Sequence, residues 1–417
     1  MAGCAVDDDC VGVADAPRCD VEAAICVGCI ANAQCPAGRE ICDAESQSCR
    51  GCTSDDDCSS GVCVEAVGTC APGTAILYVA PRGKDAGECT RESPCLTLRY
   101  ALGQRSRTRN VIRLLGGVVA VGTNQVEIGL SSPPLVIDGN NTTLLSDGPL
   151  MLTLYADLVL EGVVVVAAAT TAPQSIKVRS GGLLRLANAS VDRGAVDVES
   201  GGKLQVSDVE VRNSTWRCAI GGDLAITRTR FAQSVLWTSA CDLALTSSTM
   251  GPGFGSLSPS GGLLRIENNI FLETRDDETV RLGLRAQPGS VFRFNTVVNS
   301  SATRTAAGVF CYDTSVTISN NIFSSNSAKP VGTLCGPVNN SLFDTSAAAF
   351  AANGVSNVVG DSATFFKNRS ANDFRLVATS PARGMGEPGL VDRDFAGNPR
   401  PSPRGTLPDV GAFEYPE

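Results

Sequence analysis

One pattern limits the fold of this chain more than any other. The motif apolar-x-apolar-x-x-x-x-apolar returns about every twenty residues between residues 137 and 338. It is plain in Leu184-Arg-Leu186-Ala-Asn-Ala-Ser-Val191 and in Leu204-Gln-Val206-Ser-Asp-Val-Glu-Val211. The middle apolar residues, taken as anchors, are Ile137, Leu160, Leu186, Val206, Ile226, Leu245, Ile266, Phe292, Ile318 and Val338, in steps of 19 to 26. Five residues past each anchor from Leu160 onward stand Val165, Val191, Val211, Phe231, Met250, Phe271, Val297, Phe323 and Phe343. All are apolar in a chain that is only 43% hydrophobic, so equivalent side chains must stack in columns. The local alternation has period two, β-branched residues abound, and the unit is too short for a helical solenoid. Glycine doublets (Gly181-Gly182, Gly201-Gly202, Gly221-Gly222, Gly261-Gly262) precede the anchors and mark turns between short strands. Crossovers between parallel strands are right-handed. The expected fold is all-β, a right-handed parallel β-helix of ten or eleven coils over residues 76–417.

Two further features belong to such a coil. Asn269, Asn295 and Asn321 lie three residues past successive anchors and predict an asparagine ladder. Cys218 and Cys241 lie one coil length apart, and so do Cys311 and Cys335. That spacing predicts two disulfides between neighbouring turns.

Residues 1–72 belong to a different domain. Twelve of the 18 cysteines lie there, at 4, 10, 19, 26, then 29, 35, 42, 49, then 52, 58, 63, 70. Three repeats with four cysteines each and few large apolar residues cannot build a hydrophobic core, so they predict two disulfides per repeat in an oxidising compartment. Spacing leaves the pairing open. Cys26-x2-Cys29 and Cys49-x2-Cys52 also have zinc-ligand spacing. Asp7-Asp8-Asp9 and Asp55-Asp56-Asp57 are either solvated acidic loops or calcium ligands, and the second repeat has Ala33 and Gln34 in that place. Met1-Ala2-Gly3-Cys4 is similar to the end of a lipobox, which would put a lipid anchor on Cys4. Against that, Cys4 fills the slot of Cys29 and Cys52, and its loss would leave an odd cysteine. A disulfide-rich head demands export, with a signal upstream of this chain. No run of 18 apolar residues is present, so no transmembrane helix is expected.

Both ends of residues 76–417 resemble known segments. Tyr78-Val-Ala-Pro-Arg-Gly83-Lys-Asp85, Cys89 and Pro94-Cys95-Leu-Thr97-Leu-Arg-Tyr-Ala101 resemble the N-terminal cap of exported bacterial β-helix proteins of the pectin-lyase-like group. The resemblance implies a first strand and a short helix that plugs the cylinder within residues 76–110, with Cys89 and Cys95 closing a small loop. Asp373-Phe-Arg-Leu376, Ser380-Pro381-Ala382, Asp392-Arg-Asp394-Phe-Ala-Gly397-Asn-Pro-Arg400 and Asp409-Val-Gly411-Ala-Phe-Glu414-Tyr415 resemble the tail of the choice-of-anchor Q family of surface proteins. That implies a closing segment over residues 373–417.

The pectin-lyase-like group includes polysaccharide lyases, hydrolases and esterases, but fold alone does not grant activity. The chain has no histidine, which excludes a Ser-His-Asp triad, a histidine base and the histidine of the group's hydrolases. Lyases of the group use Arg or Lys as base beside carboxylates that hold calcium. The best acidic stack is Asp138 and Glu161, each one residue past its anchor and pointing outward. Two such carboxylates would raise one pKa or recruit a cation such as calcium; the simpler expectation is an exposed, screened pair. Glu267 and Arg293, in the same slot on later coils, predict a weak surface ion pair. Asp392 and Asp394 either bind calcium or cap a turn that closes the cylinder. Trp216 and Trp237, one coil apart, either form a carbohydrate-binding platform or pack beneath the Cys218–Cys241 staple. Beyond the head, acidic and basic side chains nearly balance, so nucleic acid is not an expected partner. The expected function is non-catalytic: an extracellular or bacterial cell-surface β-helix protein for adhesion, binding an extracellular polysaccharide or a surface partner. The alternative is a calcium-dependent polysaccharide lyase.

Overall fold

A computed structural model describes residues 4–13, 16–121, 126–129, 134–146, 151–167, 174–251, 256–272, 280–282, 286–299, 309–325, 330–332, 334–352 and 354–416. They form two compact units. The first is Met1–Ala120, Ser132–Thr143 and Val159–Val163; the second is Val121–Ser131, Leu144–Leu158 and Val164–Glu417.

The second unit is a parallel β-helix. One of its sheets has nine parallel strands, from Val126–Ile128 and Met151–Leu154 through Thr215–Cys218 and Val235–Ser239 to Val309–Cys311. The anchors stack as the repeat demands. Leu186 pairs with Val206, then Ile226, Leu245, Ile266, Phe292, Ile318 and Val338 follow in register, coil after coil. The second column runs Val165, Val191, Val211, Phe231, Met250, Phe271, Val297, Phe323, Phe343 in the same way, and every member is buried. Alternation along each strand sends one side chain in and the next out, as in Lys203–Ser207, where Leu204 and Val206 are buried and Lys203 and Gln205 exposed.

Corners between strands explain two sets of residues. Asn188, Asp208, Arg228, Ser247, Asn268, Phe294, Asn320 and Asn340 all have φ between 46° and 59° and turn the chain after one strand. After glycine, Asn and Asp tolerate this left-handed region best. The residue after the corner points inward and carries the ladder. Asn269 Oδ1 accepts from Ser248 N (2.9 Å), Asn295 Oδ1 from Asn269 N (2.9 Å) and Asn321 Oδ1 from Asn295 N (2.8 Å). The ladder runs further than the three asparagines. Ser248 Oγ accepts from Thr229 N, Ser341 Oγ from Asn321 N and Asn357 Oδ1 from Ser341 N. Each side chain satisfies a buried backbone N–H of the preceding coil, which would otherwise have no partner.

Cys218–Cys241 and Cys311–Cys335 form the two predicted staples, with Cα atoms 6.0 and 4.8 Å apart. The tail does not lie where a plug would. Its Ala382, Val410 and Ala412 pack on Ile270, Leu272, Val298 and Ile322, which face outward from the coils. Gly411 (φ +87°) lies so close that a Cβ there would come 2.5 Å from Ile322 Cδ1.

In the first unit, each head repeat closes two disulfides in a first-to-third, second-to-fourth pattern: Cys4–Cys19 and Cys10–Cys26, Cys29–Cys42 and Cys35–Cys49, Cys52–Cys63 and Cys58–Cys70. Cys26 and Cys29, and likewise Cys49 and Cys52, therefore belong to different disulfides and are not a zinc pair. The sulfur of Cys4 is bonded to Cys19, which corrects the lipid-anchor expectation, since a thioether needs that atom. The acidic triplets are not merely solvated. Asp7, Asn32 and Asp55 each accept from the N–H of their repeat's third cysteine (2.8, 2.8 and 3.0 Å). Asp9, Gln34 and Asp57 each accept from an N–H four residues back (2.7, 2.7 and 2.8 Å).

After the head, Ile76–Val79, Val111–Leu114 and residues 136–138 pair in parallel. Leu98–Gly103 forms the short helix the resemblance implies, with Thr97 Oγ1 accepting from Tyr100 N, and Cys89–Cys95 closes the loop before it.

Candidate functional site

The first unit's parallel strands place two rows on their outer face. Ile76, Val111, Val136 and Val159 make an apolar row; Tyr78, Arg113, Asp138 and Glu161 make a polar one. The third head repeat covers both. Its Val62, Val64 and Ala71 pack on the apolar row, with the half-buried Ala66 and Tyr78 alongside. Asp138 and Glu161 are thus 5% and 3% exposed, not the exposed and screened pair that their outward slot predicts. Arg113 ion-pairs with Asp138 and, from the head, with Asp55. Ala66 N donates to Glu161 Oε2 at 3.0 Å. Glu161 Oε1 is buried as well.

The electrostatics follow from this burial. Removal from water pushes the Glu161 carboxyl up to about 7, the Ala66 N–H and, more weakly, the Glu65 N–H oppose the shift, and the charges of Asp138 and Glu65 add to it. Burial also raises Asp138, with Arg113 pulling the other way. Arg113, Asp55 and Ala66 are not visible as partners in the motif alone. A signal exists: Ile112 pairs with Ile137 as one more anchor, and the next slot then holds Arg113, Asp138 and Glu161 in succession. The arrangement can hold the third repeat on the strands. It buries both carboxylates.

A second buried acidic group lies in the tail of the other unit. Arg400 has a fully buried side chain; it donates to the carbonyls of Asp409 (2.8 Å) and Gly411 (3.0 Å) and stacks 4.4 Å over Phe294. Glu414 accepts from Ser402 N and Asp409 N, and burial pushes it up to about 7 against the pull of Arg400. Asp394 is a turn cap. Its Oδ1 accepts from Ala396 N and Asn398 N, its Oδ2 from Asn398 Nδ2 and Glu414 N. These donors occupy the lone pairs a calcium ion would use. Asp392 lies near the surface and contributes its carbonyl to Arg400 N. The turn they cap lies on the outer face of the coils, not across the cylinder. Glu267 and Arg293 do pair, at 2.6 Å, but the pair is no weak surface contact. Glu267 is 1% exposed, also binds Arg265, and Arg293 donates to Leu390 O of the tail.

The tryptophans do not stack together. Trp216 pairs in register with Leu236, and Trp237 with Arg217. Trp216 is fully buried, edge-on to Phe231 at 5.3 Å, while Trp237 is 45% exposed on the opposite face of the sheet. The coil step there runs from Trp216 to Leu236, so Trp237 lies one residue beyond it and its side chain turns to the other face.

Raised carboxyls set the pH dependence of stability. Glu161 and Glu414 hold their protons more tightly folded (about 7) than at their ordinary value of 4.5. Their contribution is complete below pH 4.5 and is lost as pH rises through 7. Each is worth at most about 3 kcal/mol. Urea midpoints are expected to fall between pH 5 and pH 8, and Glu161→Gln to flatten part of that fall. An unchanged slope in Glu161→Gln would mean that this carboxyl is solvated.

No protein-family model matches the chain, and no curated protein matches it. Among solved structures, it matches the crystal structure of pectate lyase Pel9A with 14% identity and a TM-score of 0.34, over 82% of this chain and 96% of that one.

Proposed function

We propose that this is a non-catalytic, exported β-helix protein of the extracellular space or a bacterial cell surface, working in adhesion by binding carbohydrate or a surface partner. One observation carries the proposal: the outward carboxylates best placed for lyase chemistry, Asp138 and Glu161, are engaged by the chain's own head and its neighbouring Arg113. The pairing of all 18 cysteines supports an oxidising compartment. The motifs of residues 373–415 support membership of the choice-of-anchor Q family, and in this chain they build the Arg400–Glu414 network that straps the tail to the coils.

The second reading is a calcium-dependent polysaccharide lyase, favoured by the pectin-lyase-like architecture. The test is incubation of the whole protein with polygalacturonate and calcium, following the ultraviolet absorbance of unsaturated products. No rise is expected. A rise that disappears in Asp138→Asn or Glu161→Gln would establish the lyase and overturn the proposal.

A further inference from the structure

We propose that the outer face of the nine-stranded sheet around Trp237 binds an uncharged polysaccharide of pyranose rings. This rests on the reading of the protein as a carbohydrate binder and gives that activity a site and a ligand class.

Five successive strands set up the face. Lys177, Asp197, Arg217, Trp237 and Ser258 pair in register along one row. The residues just before them, Ile176, Val196, Trp216, Leu236 and Leu257, are all buried, so the row points outward. Neighbouring members are one strand spacing apart, about 4.8 Å. Trp237 is the exposed one of the chain's two tryptophans. Two positions along its strand stand Val235 and Ser239, both smaller than the indole. The Arg217 guanidinium carbon lies 5.4 Å from the ring centroid and fixes the ring's orientation.

The chemistry of the row selects the ligand. An indole offers a flat apolar surface to the C–H face of a pyranose. Arg217 only donates hydrogen bonds and ionised Asp197 only accepts them. Among the described residues, neither is in an ion pair. Successive hydroxyls of a sugar chain both donate and accept, so they satisfy both groups. An uncharged sugar is served by Lys177, Asp197 and Arg217 alike, whereas each carboxylate of an acidic chain that comes to lie beside Asp197 meets a like charge there.

Tryptophan fluorescence tests this directly, because Trp216 is buried and Trp237 is the exposed reporter. The full-length protein is titrated with cellohexaose, xylohexaose and mannohexaose, with hexagalacturonate as the charged comparison. At least one uncharged hexasaccharide is expected to shift the emission to the blue and shield it from acrylamide. Trp237→Ala should weaken binding of that sugar roughly tenfold, read by calorimetry. Arg217→Ala and Asp197→Ala should each weaken it several-fold, with melting temperatures unchanged. Binding that is undiminished in Trp237→Ala overturns the site while leaving a carbohydrate binder. A response to hexagalacturonate alone overturns the ligand class. No response to any of the four sugars overturns the site, and the lyase assay decides the broader reading independently.

Discussion

Replacing Arg113 by methionine is expected to cost the first unit about 3–5 kcal/mol, because it leaves a buried carboxylate with no counter-charge. The Arg113 side chain is 10% exposed and its partner Asp138 7%. The methionine keeps the aliphatic stem and removes the cation that faces Asp138. The neighbours of that carboxylate are then Asp55, Glu65 and Glu161, all acidic. Urea unfolding should show the loss, and proteolysis should open the third head repeat first, near residues 62–71. Adding Asp138→Leu to the same chain should recover most of the stability, since an apolar pair on that face no longer buries a lone charge. If Arg113→Met unfolds at the wild-type midpoint, the ion network is solvated and the head does not cover it.

Asn295→Leu should cost the coil a comparable amount, about 3–5 kcal/mol, although the two side chains differ little in size. The amide of Asn295 makes four contacts. Its Oδ1 accepts from Asn269 N (2.9 Å) and Asn269 Nδ2 (3.1 Å), and its Nδ2 donates to Ile266 O (2.9 Å) and Asn321 Oδ1 (3.2 Å). Leucine leaves the Asn269 N–H buried and unpaired, and each such group costs about 1–3 kcal/mol. Ser248→Ala, which removes the acceptor for Thr229 N, should cost less. Equal losses in the two variants, measured by denaturant unfolding, would mean that packing rather than hydrogen bonding sets the ladder's value.

What the sequence shows and what it hides divide along physical lines. The apolar columns are legible because period and burial coincide: within a strand, the inward residue of each coil stacks on its equivalents above and below and is apolar, while the polar ladder is confined to the corners, where backbone N–H groups need acceptors. The staples are legible for the same reason, since Cys218 to Cys241 and Cys311 to Cys335 each span one coil. Slots that face outward are different, because their surroundings are set by whatever packs on them from elsewhere in the chain. Asp138 and Glu161 read as solvent-exposed until the third head repeat, from far earlier in the chain, is laid over them. Glu267 is hidden in the same way by the tail. The tryptophans show how little error the outer face forgives, since one residue of slip separates a core ring from a surface one. The head shows the converse. Asn32 and Gln34 break the acidic motif by type, yet their amide oxygens accept the same backbone N–H groups as Asp7 and Asp9. The acidity is incidental there and the acceptor oxygen is what the turn requires.

The head seals the outward carboxylates Asp138 and Glu161. The backbone N–H of Ala66, which donates to Glu161, reports on that seal most directly. Hydrogen–deuterium exchange of the whole protein should find that amide protected, with the protection unchanged by calcium and sharply reduced in Arg113→Met. Exchange of Ala66 at the rate of an open loop in the wild-type protein, or protection that collapses when calcium is added, would contradict it. Either result would put Asp138 and Glu161 back on an accessible surface where they could meet a cation and a polymer.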